Sequence, residues 1–422
     1  MNIQDLVKVL SDQKEEFQRF SKRNLCTRME ESLLSTESRL AQMVIGVRRS
    51  GKSTLCLKYF TDRKIIPAYV NFDDDRLASL KTADLDTLLE ALYRHYGDFH
   101  YLFMDEIQNV EQWHLFVNRL LRQEIHIFLT GSNSKLLSGE LATHLTGRHN
   151  KVELYPFSFS EYCAFRNVDQ HSLSVKGQAL RKSALMDYLT QGGFPELLNE
   201  KNRRGYIEAL LDSIIRNDIA RRFKLRHVDV LYRMAAYLMD NFCQEFKADE
   251  VANLFGITDH TAENYFHYLQ EAFLLFSVRK FSFKSRNRIR NEKVYVVDPA
   301  FIAERSDTIQ TENLGWRLEN IVYIELLRRH RPNYADVFYF REKYFECDFV
   351  VAQAGKVIEL IQVSYDISSP KTRRRELNGL LKAANKLHCS NLTLVTLESQ
   401  EEDIEQDGFS IHIVSAANWL IA

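Results

Sequence analysis

The sequence predicts an α/β fold: a parallel, doubly wound sheet, then helices, then a second α/β unit toward the C-terminus. Three observations predict it. Gly46-Val47-Arg48-Arg49-Ser50-Gly51-Lys52-Ser53-Thr54 fits the phosphate-loop pattern G-x-x-x-x-G-K-[ST] at every fixed position. Strand-like runs at 43–45, 66–72, 101–104 and 126–130 alternate with helical segments between about 41 and 155. The third of these runs, Tyr101-Leu102-Phe103-Met104, ends in two acids, Asp105 and Glu106.

The loop pattern has a chemical reason. Its two glycines let the backbone curl so that successive N–H groups face inward and cradle the phosphates of ATP. Lys52 then reaches the β- and γ-phosphates, and the Ser53 hydroxyl ligates Mg²⁺. Met43-Val44-Ile45 ahead of the loop suits a buried parallel strand. Thr54 to Phe60 after it suits a helix whose N-terminus points at the anion. In ATPases with such a loop, an apolar strand ends with an Asp that helps hold Mg²⁺, and an adjacent Glu activates the attacking water. Asp105 and Glu106 are expected in those roles.

Composition bounds the rest. The 422 residues suffice for two or three domains. With 56 Lys+Arg against 57 Asp+Glu, the net charge is -1, so any nucleic-acid binding must come from local patches. Six scattered cysteines without a C-x-x-C pair argue against a disulfide framework or a zinc site and for a reducing compartment. No apolar run of membrane length and no signal-peptide core is present, so a cytoplasmic protein with no membrane partner is expected.

Residues 1–40 read as a helical lead-in, with Leu6, Val7, Leu10, Phe17 and Phe20 at helical spacing and Arg19, Lys22, Arg23 and Arg28 scattered among them. Residues 41–155 form the phosphate-loop core. Asp74 and Asp75, after the second strand, are expected in a solvated turn. His126 to Thr130 is a further buried strand, followed by Gly131-Ser132-Asn133. In AAA+-type ATPases a polar residue here senses the γ-phosphate; Ser132 is the first candidate, with Thr130 and Asn133 behind it. Arg148, in Leu145-Thr146-Gly147-Arg148, is a candidate to act on the γ-phosphate in cis or on a neighbouring subunit's ATP, which would require a homo-oligomer.

The runs GVRRSGKST, YLFMDEIQNVEQW, IFLTGSNSKLLSGELATHLTGR, VELYPFSFSEY and YLTQGGFPEL follow one another between residue 46 and about 197. In this order they resemble the AAA+-like ATPases of bacteria and archaea that carry a C-terminal domain of unknown function. The resemblance implies that Tyr155–Tyr162 and Gly192-Gly193-Phe194-Pro195-Glu196 belong to the connection between the ATPase core and a helical lid, here 156–227. Arg216 to Arg222 resembles a short segment at the end of that region.

Residues 228–310 read as a winged helix. Helices at 231–243, 248–255 and 261–272 surround a tight turn at Gly256, and strand-like runs follow at 275–283 and 293–297. Between those runs, Lys284, Arg286, Arg288 and Arg290 form a basic wing suited to a phosphate backbone, DNA being favoured. The second helix of the pair holds Glu263, Asn264, His267 and Glu271 but no Arg or Lys, which argues against base readout.

Residues 311–422 read as a last α/β unit: a helix from 314, strands at 337–341, 346–352 and 357–365, a helix at 373–387 and a strand at 392–397. This order resembles restriction-endonuclease-like nucleases, which hold Mg²⁺ with three acids and place a Lys beside them. Glu319 and Asp348 match. Gln362 and Ser364 stand where an acid and the Lys belong, so loss of cutting activity is expected. Glu359 points to the opposite face from Gln362, and Lys371 to Arg375 offer a further basic run. The expected function is ATP hydrolysis with Mg²⁺ coupled to DNA binding or remodelling. The alternatives are a nucleotide-dependent switch on protein partners and, last, an active nuclease.

Overall fold

The computed structural model describes residues 1–20, 22–23, 25–132, 147–282, 292–305, 313–397 and 401–422. They fall into two units, Met1–Tyr155 with the short piece Glu271–Phe273, and Pro156–Gln270 with Leu274–Ala422.

In the first unit, β1 (Ala41–Ile45), β2 (Ala68–Asn71), β3 (Tyr101–Asp105), β4 (His126–Gly131) and β5 (His149–Glu153) pair in the order β2-β3-β4-β1-β5. Every pair is parallel. Their C-terminal ends therefore share one edge, which is where ligands bind in such sheets. The strands are near-continuous apolar runs because both faces are covered. Val44, Phe103, Phe128 and Val152 pack with Leu55, Tyr59 and Phe60 of helix α2 (Lys52–Asp62), and the Phe60 and Phe128 rings lie 4.6 Å apart. Burying such side chains stabilises by roughly 1.5–3 kcal/mol each, and it fixes where the α2 N-terminus points.

β5 is not among the sequence-expected strands. Three of its five residues are His149, Asn150 and Lys151, and it lies at the sheet edge, where an apolar pattern is not required. The second strand is shorter than the run 66–72; Ile66, expected within it, is largely exposed and precedes it. The opposite edge, β2, is covered by α1 (Ile3–Phe20). The buried Gln13 side chain accepts from Asn71 N–H and donates to Asn71 C=O, both at 3.0 Å, so it completes the ladder as another strand would.

The second unit contains β6 (Glu245–Phe246), β7 (Leu275–Lys280), β8 (Glu292–Val296), β9 (Ala335–Glu342), β10 (Phe345–Gln353), β11 (Lys356–Ser364), β12 (Leu392–Thr396), β13 (Glu402–Gln406) and β14 (Phe409–Ser415). They form one sheet in the order β13-β14-β12-β11-β10-β9-β7-β8-β6. The strands expected of two separate domains are thus joined, through parallel pairing of Arg279 and Lys280 on β7 with Phe338 and Tyr339 on β9. Helices Val228–Asp240, Ala248–Phe255 and Asp259–Glu271 precede β7, with Gly256 at φ +65° between the last two. Lys284, Arg286, Arg288 and Arg290 lie outside the described residues. The β13–β14 hairpin is an addition to the sequence reading. It turns on Asp407-Gly408, both at positive φ, a two-residue turn that matches strand twist. Here too a side-chain amide completes the sheet: Asn320 accepts from and donates to Val296 at 2.8 Å each. Among the described residues, no helix is long and apolar enough to cross a membrane.

Gly192 and Gly193 have a physical reason. The buried Asp298 carboxylate accepts from Gly193 N–H at 2.7 Å and from Ala300 N–H at 2.9 Å. Burial pushes this carboxyl up to about 7, and the two backbone donors oppose that rise. A Cβ on Gly192 would stand 1.8 Å from Asp298 Oδ1, and its φ of +74° disfavours any side chain. Gly192→Ala is therefore expected to lower the unfolding free energy by about 2–4 kcal/mol in chemical denaturation. A loss within about 0.5 kcal/mol would show that the contact does not hold the fold.

Candidate nucleotide site

The loop Gly46–Thr54 leaves β1 at the C-terminal edge of the first sheet and runs into α2. A Cβ at Gly46 would lie 2.0 Å from Leu154 O, so only glycine passes here. Arg49 at φ 65° and Gly51 at φ 97° alternate with neighbours that are not at positive φ, and such alternation turns N–H groups toward an anion. Gly51 caps α2, whose first residue is Lys52. The helix dipole and its unpaired N–H groups add to the field.

Lys52 is buried. Its Nζ donates to Val47 O at 3.1 Å and stands 3.9 Å from Glu106 Oε1. Ser53 Oγ donates to Asp105 Oδ1 at 2.8 Å. Thr130 on β4 donates its hydroxyl to the same carboxylate oxygen and accepts from Glu106 N–H at 3.0 Å. Glu106 sits in the left-handed region at φ 51°, which turns the chain sharply after β3, and its carboxylate accepts from Gln108 Nε2. Burial first, and the Glu106 charge second, push the Asp105 carboxyl up to about 6; Thr130, Ser53 and Lys52 pull the other way.

The donor set fits a magnesium nucleotide. A hydroxyl and a carboxylate already in contact are hard oxygen ligands of the kind Mg²⁺ takes alongside phosphate oxygens. The buried Ser50 hydroxyl in the loop has no hydrogen-bond partner among the described residues, and Lys52 follows it at the start of α2. Among the described residues no three His, Cys, Asp or Glu side chains come together to hold a metal alone.

Ser132 is buried just beyond β4, two residues past Thr130. Asn133 lies outside the described residues. Thr130, a secondary candidate from sequence, is the one bonded to the acidic pair. Asp74 is structural: it accepts from Arg76 and Gln13, and the Arg76 guanidinium is the main cause that lowers its carboxyl to about 2. Arg148 lies at the far end of the sheet from the loop. It precedes β5, and its C=O accepts from Ala41 N–H at the start of β1, while the loop follows Ile45 at the other end. Five residues at about 3.3 Å put its backbone roughly 16 Å from that edge.

One residue was missed. Arg28, read as one of several scattered basic residues, is buried and donates to Ser50 O at 3.0 Å and Tyr155 O at 2.7 Å. It braces the loop from behind. Its only sequence signal is its place at the end of the lead-in, close before β1.

The four residues of the nuclease-like pattern also come together, in the second unit. Glu319 lies on helix Leu314–His330 and accepts from Tyr295 OH at 2.7 Å. Asp348 on β10 accepts from Val363 N–H at 2.8 Å and donates its own N–H to Gln362 Oε1 at 3.3 Å. Gln362 Nε2 donates to Glu376 at 2.9 Å, and Ser364 Oγ donates to Asp366 O at 3.2 Å. Glu359 is elsewhere, 3.6 Å from His330. Lys293, from β8, reaches Glu319 and Glu346. In the basic run, Arg373 pairs with Glu402 and Arg375 with Glu376.

The raised Asp105 carboxyl has a pH consequence. A metal ligand must be deprotonated, so below pH about 6 a bound proton has to be displaced. Magnesium-nucleotide affinity is expected to fall up to about tenfold per pH unit below 6 and to flatten above it. The same titration with nucleotide alone supplies the phosphate's own slope. An affinity unchanged between pH 5 and 7 would contradict the assignment. The apo protein behaves oppositely. Between pH about 4 and 6 this group's contribution to stability declines as pH rises, because the unfolded chain has released a proton that the folded chain retains.

The family model described as "AAA domain" matches residues 38–163. Two others, each described as a domain of unknown function, DUF8612 and DUF4143, match residues 182–310 and 314–419. An uncharacterized protein of Methanocaldococcus jannaschii is 33% identical over 381 residues, 86% of this chain and 83% of that one. An uncharacterized protein of Haemophilus influenzae is 30% identical over 420 residues, 93% of this chain and 100% of that one. Among solved structures, the Thermotoga maritima RuvB Holliday junction branch migration motor aligns over 56% of this chain and 81% of its own, at 16% identity and a TM-score of 0.28. The Aeropyrum pernix ORC1 protein in complex with DNA aligns over 67% and 88%, at 13% and 0.27. These two likenesses are too distant to carry a functional argument. By its sequence relatives and its matched domains, the chain belongs to the family of AAA-domain proteins of bacteria and archaea that end in this domain of unknown function.

Proposed function

We propose that the protein binds and hydrolyses ATP at Gly46–Thr54 and couples turnover to DNA. The observation that carries the ATPase reading is the chain of contacts Ser53–Asp105–Thr130–Glu106, with Lys52 beside Glu106, at one edge of a parallel sheet. Backbone N–H groups of the loop bind the phosphates, and Lys52 swings from Val47 O and Glu106 to the β- and γ-phosphates. Ser53 and Asp105 hold Mg²⁺, which when bound neutralises phosphate charge. Glu106, released from Lys52, accepts the proton of the attacking water. Ser132 contacts the γ-phosphate, and Arg148 serves the ATP of a neighbouring subunit in a homo-oligomer.

The DNA part rests on the basic run of Lys284, Arg286, Arg288 and Arg290, which follows the helix pair Ala248–Phe255 and Asp259–Glu271 in sequence, the whole read as a winged helix. A second reading, a nucleotide-dependent switch on a protein partner, is favoured by one feature. Helix Asp259–Glu271 presents Glu263, Asn264 and His267 and carries no Arg or Lys.

The test is the ATP hydrolysis rate with and without single-stranded, duplex and branched DNA. Lys52→Ala and Glu106→Gln are each expected to lower turnover by at least about 10²-fold, and one DNA form is expected to raise the wild-type rate. Turnover that survives Lys52→Ala would refute the ATPase site. Turnover indifferent to every DNA would refute the coupling and leave the switch.

A further inference from the structure

Glu319, Glu346 and Asp348 face one cavity of about 1630 Å³ in the second unit, and the proposed function uses none of them. The nuclease resemblance implies that carboxylates here hold Mg²⁺. We infer that this pocket instead carries its own cation: the Lys293 ammonium occupies the place a divalent ion would need, making the pocket a metal-free ionic clamp that ties β8 to helix Leu314–His330 and β10. The inference is independent of the ATPase reading.

The geometry is that of a coordinated cation. Lys293 Nζ lies 2.6 Å from Glu346 Oε1 and 3.3 Å from Glu319 Oε1, with the Tyr339 ring 5.4 Å away. The lysine is only 7% exposed. Burial works against its charge, but Glu319, Asp348 and Glu346 together outweigh that and hold its pKa above the ordinary value. The other ligand positions are also taken by protein donors. Tyr295 OH shares Glu319 Oε1 at 2.7 Å, Arg341 Nε lies 3.4 Å from Glu346 Oε2, and Val363 N–H holds Asp348 Oδ2 at 2.8 Å. The Gln362 oxygen accepts from the Asp348 backbone and its nitrogen donates to Glu376, so this amide is committed within the protein. A divalent ion entering this cluster would stand within contact distance of an ammonium, and the repulsion excludes it. The two departures from the nuclease pattern thus have one account: the charge that Mg²⁺ would bring is already supplied, from a strand outside the pattern.

The test is a calorimetric titration of the full-length, nucleotide-free protein with MnCl₂, comparing variants so that Mn²⁺ bound elsewhere cancels. Wild type and Asp348→Asn are expected to give the same isotherm. Lys293→Met is expected to gain one Mn²⁺ site, at least tenfold tighter than any the wild type shows, that disappears in Lys293→Met/Asp348→Asn. Lys293→Arg, which keeps the charge, is expected to gain none. Wild-type Mn²⁺ binding that Asp348→Asn removes would overturn the inference, and that comparison requires no lysine variant to fold. A Lys293→Met protein that is folded by circular dichroism and gains no site would overturn it as well.

Discussion

The buried carboxylate of Asp105 is the contact on which the candidate nucleotide site depends. Its Oδ1 accepts from Ser53 at the start of α2 and from Thr130 near the end of β4, so one atom joins three elements at the sheet edge. Thr130 then passes the constraint on by accepting from Glu106 N–H. Hydrogen bonds to a charged group are each worth about 1.5–3 kcal/mol net, against a desolvation cost of similar size. The balance is visible in the raised Asp105 carboxyl. A ligand that brings positive charge to this oxygen relieves the desolvation, so the strain of the apo site favours binding.

The second unit follows a different logic. Its helices and hairpin are joined to the β9–β14 region by continuous hydrogen bonding across β7 and β9 and by the Lys293 clamp. Two buried contacts with no ligand chemistry reinforce it, Asn320 on Val296 and Asp298 on Gly193. A chain segmented by sequence pattern into two domains is held here as one sheet, and rearrangement between its parts would have to break a ladder and a buried ion pair together.

What the sequence made legible was whatever depends on local pattern. The phosphate loop is readable because its steric demand falls on fixed positions, as the 2.0 Å approach of Leu154 O to a Gly46 Cβ illustrates. Buried central strands are readable as apolar runs. Edge strands are not: β5, at the edge of its sheet among the described residues, is largely polar, and β13 carries Glu402, Asp403 and Glu405. Contacts between residues far apart in the chain are not readable either. Nothing local marks Arg28 as the brace of a loop whose Ser50 lies 22 residues on, and nothing in β8 says that Lys293 will meet Glu319 and Glu346. The distance of Arg148 from the loop is likewise legible only once β5 is known to run parallel to β1.

The central claim is that Ser53 and Asp105 join a magnesium nucleotide to the core of the sheet. Its most direct test is the equilibrium dissociation constant of ATP with Mg²⁺ and with EDTA, in wild type and in Asp105→Asn at pH 8. Mg²⁺ is expected to tighten binding at least tenfold in the wild type and to have little effect in the variant, where the ligand charge is gone. Equal tightening in both proteins, or none in the wild type, would contradict the account.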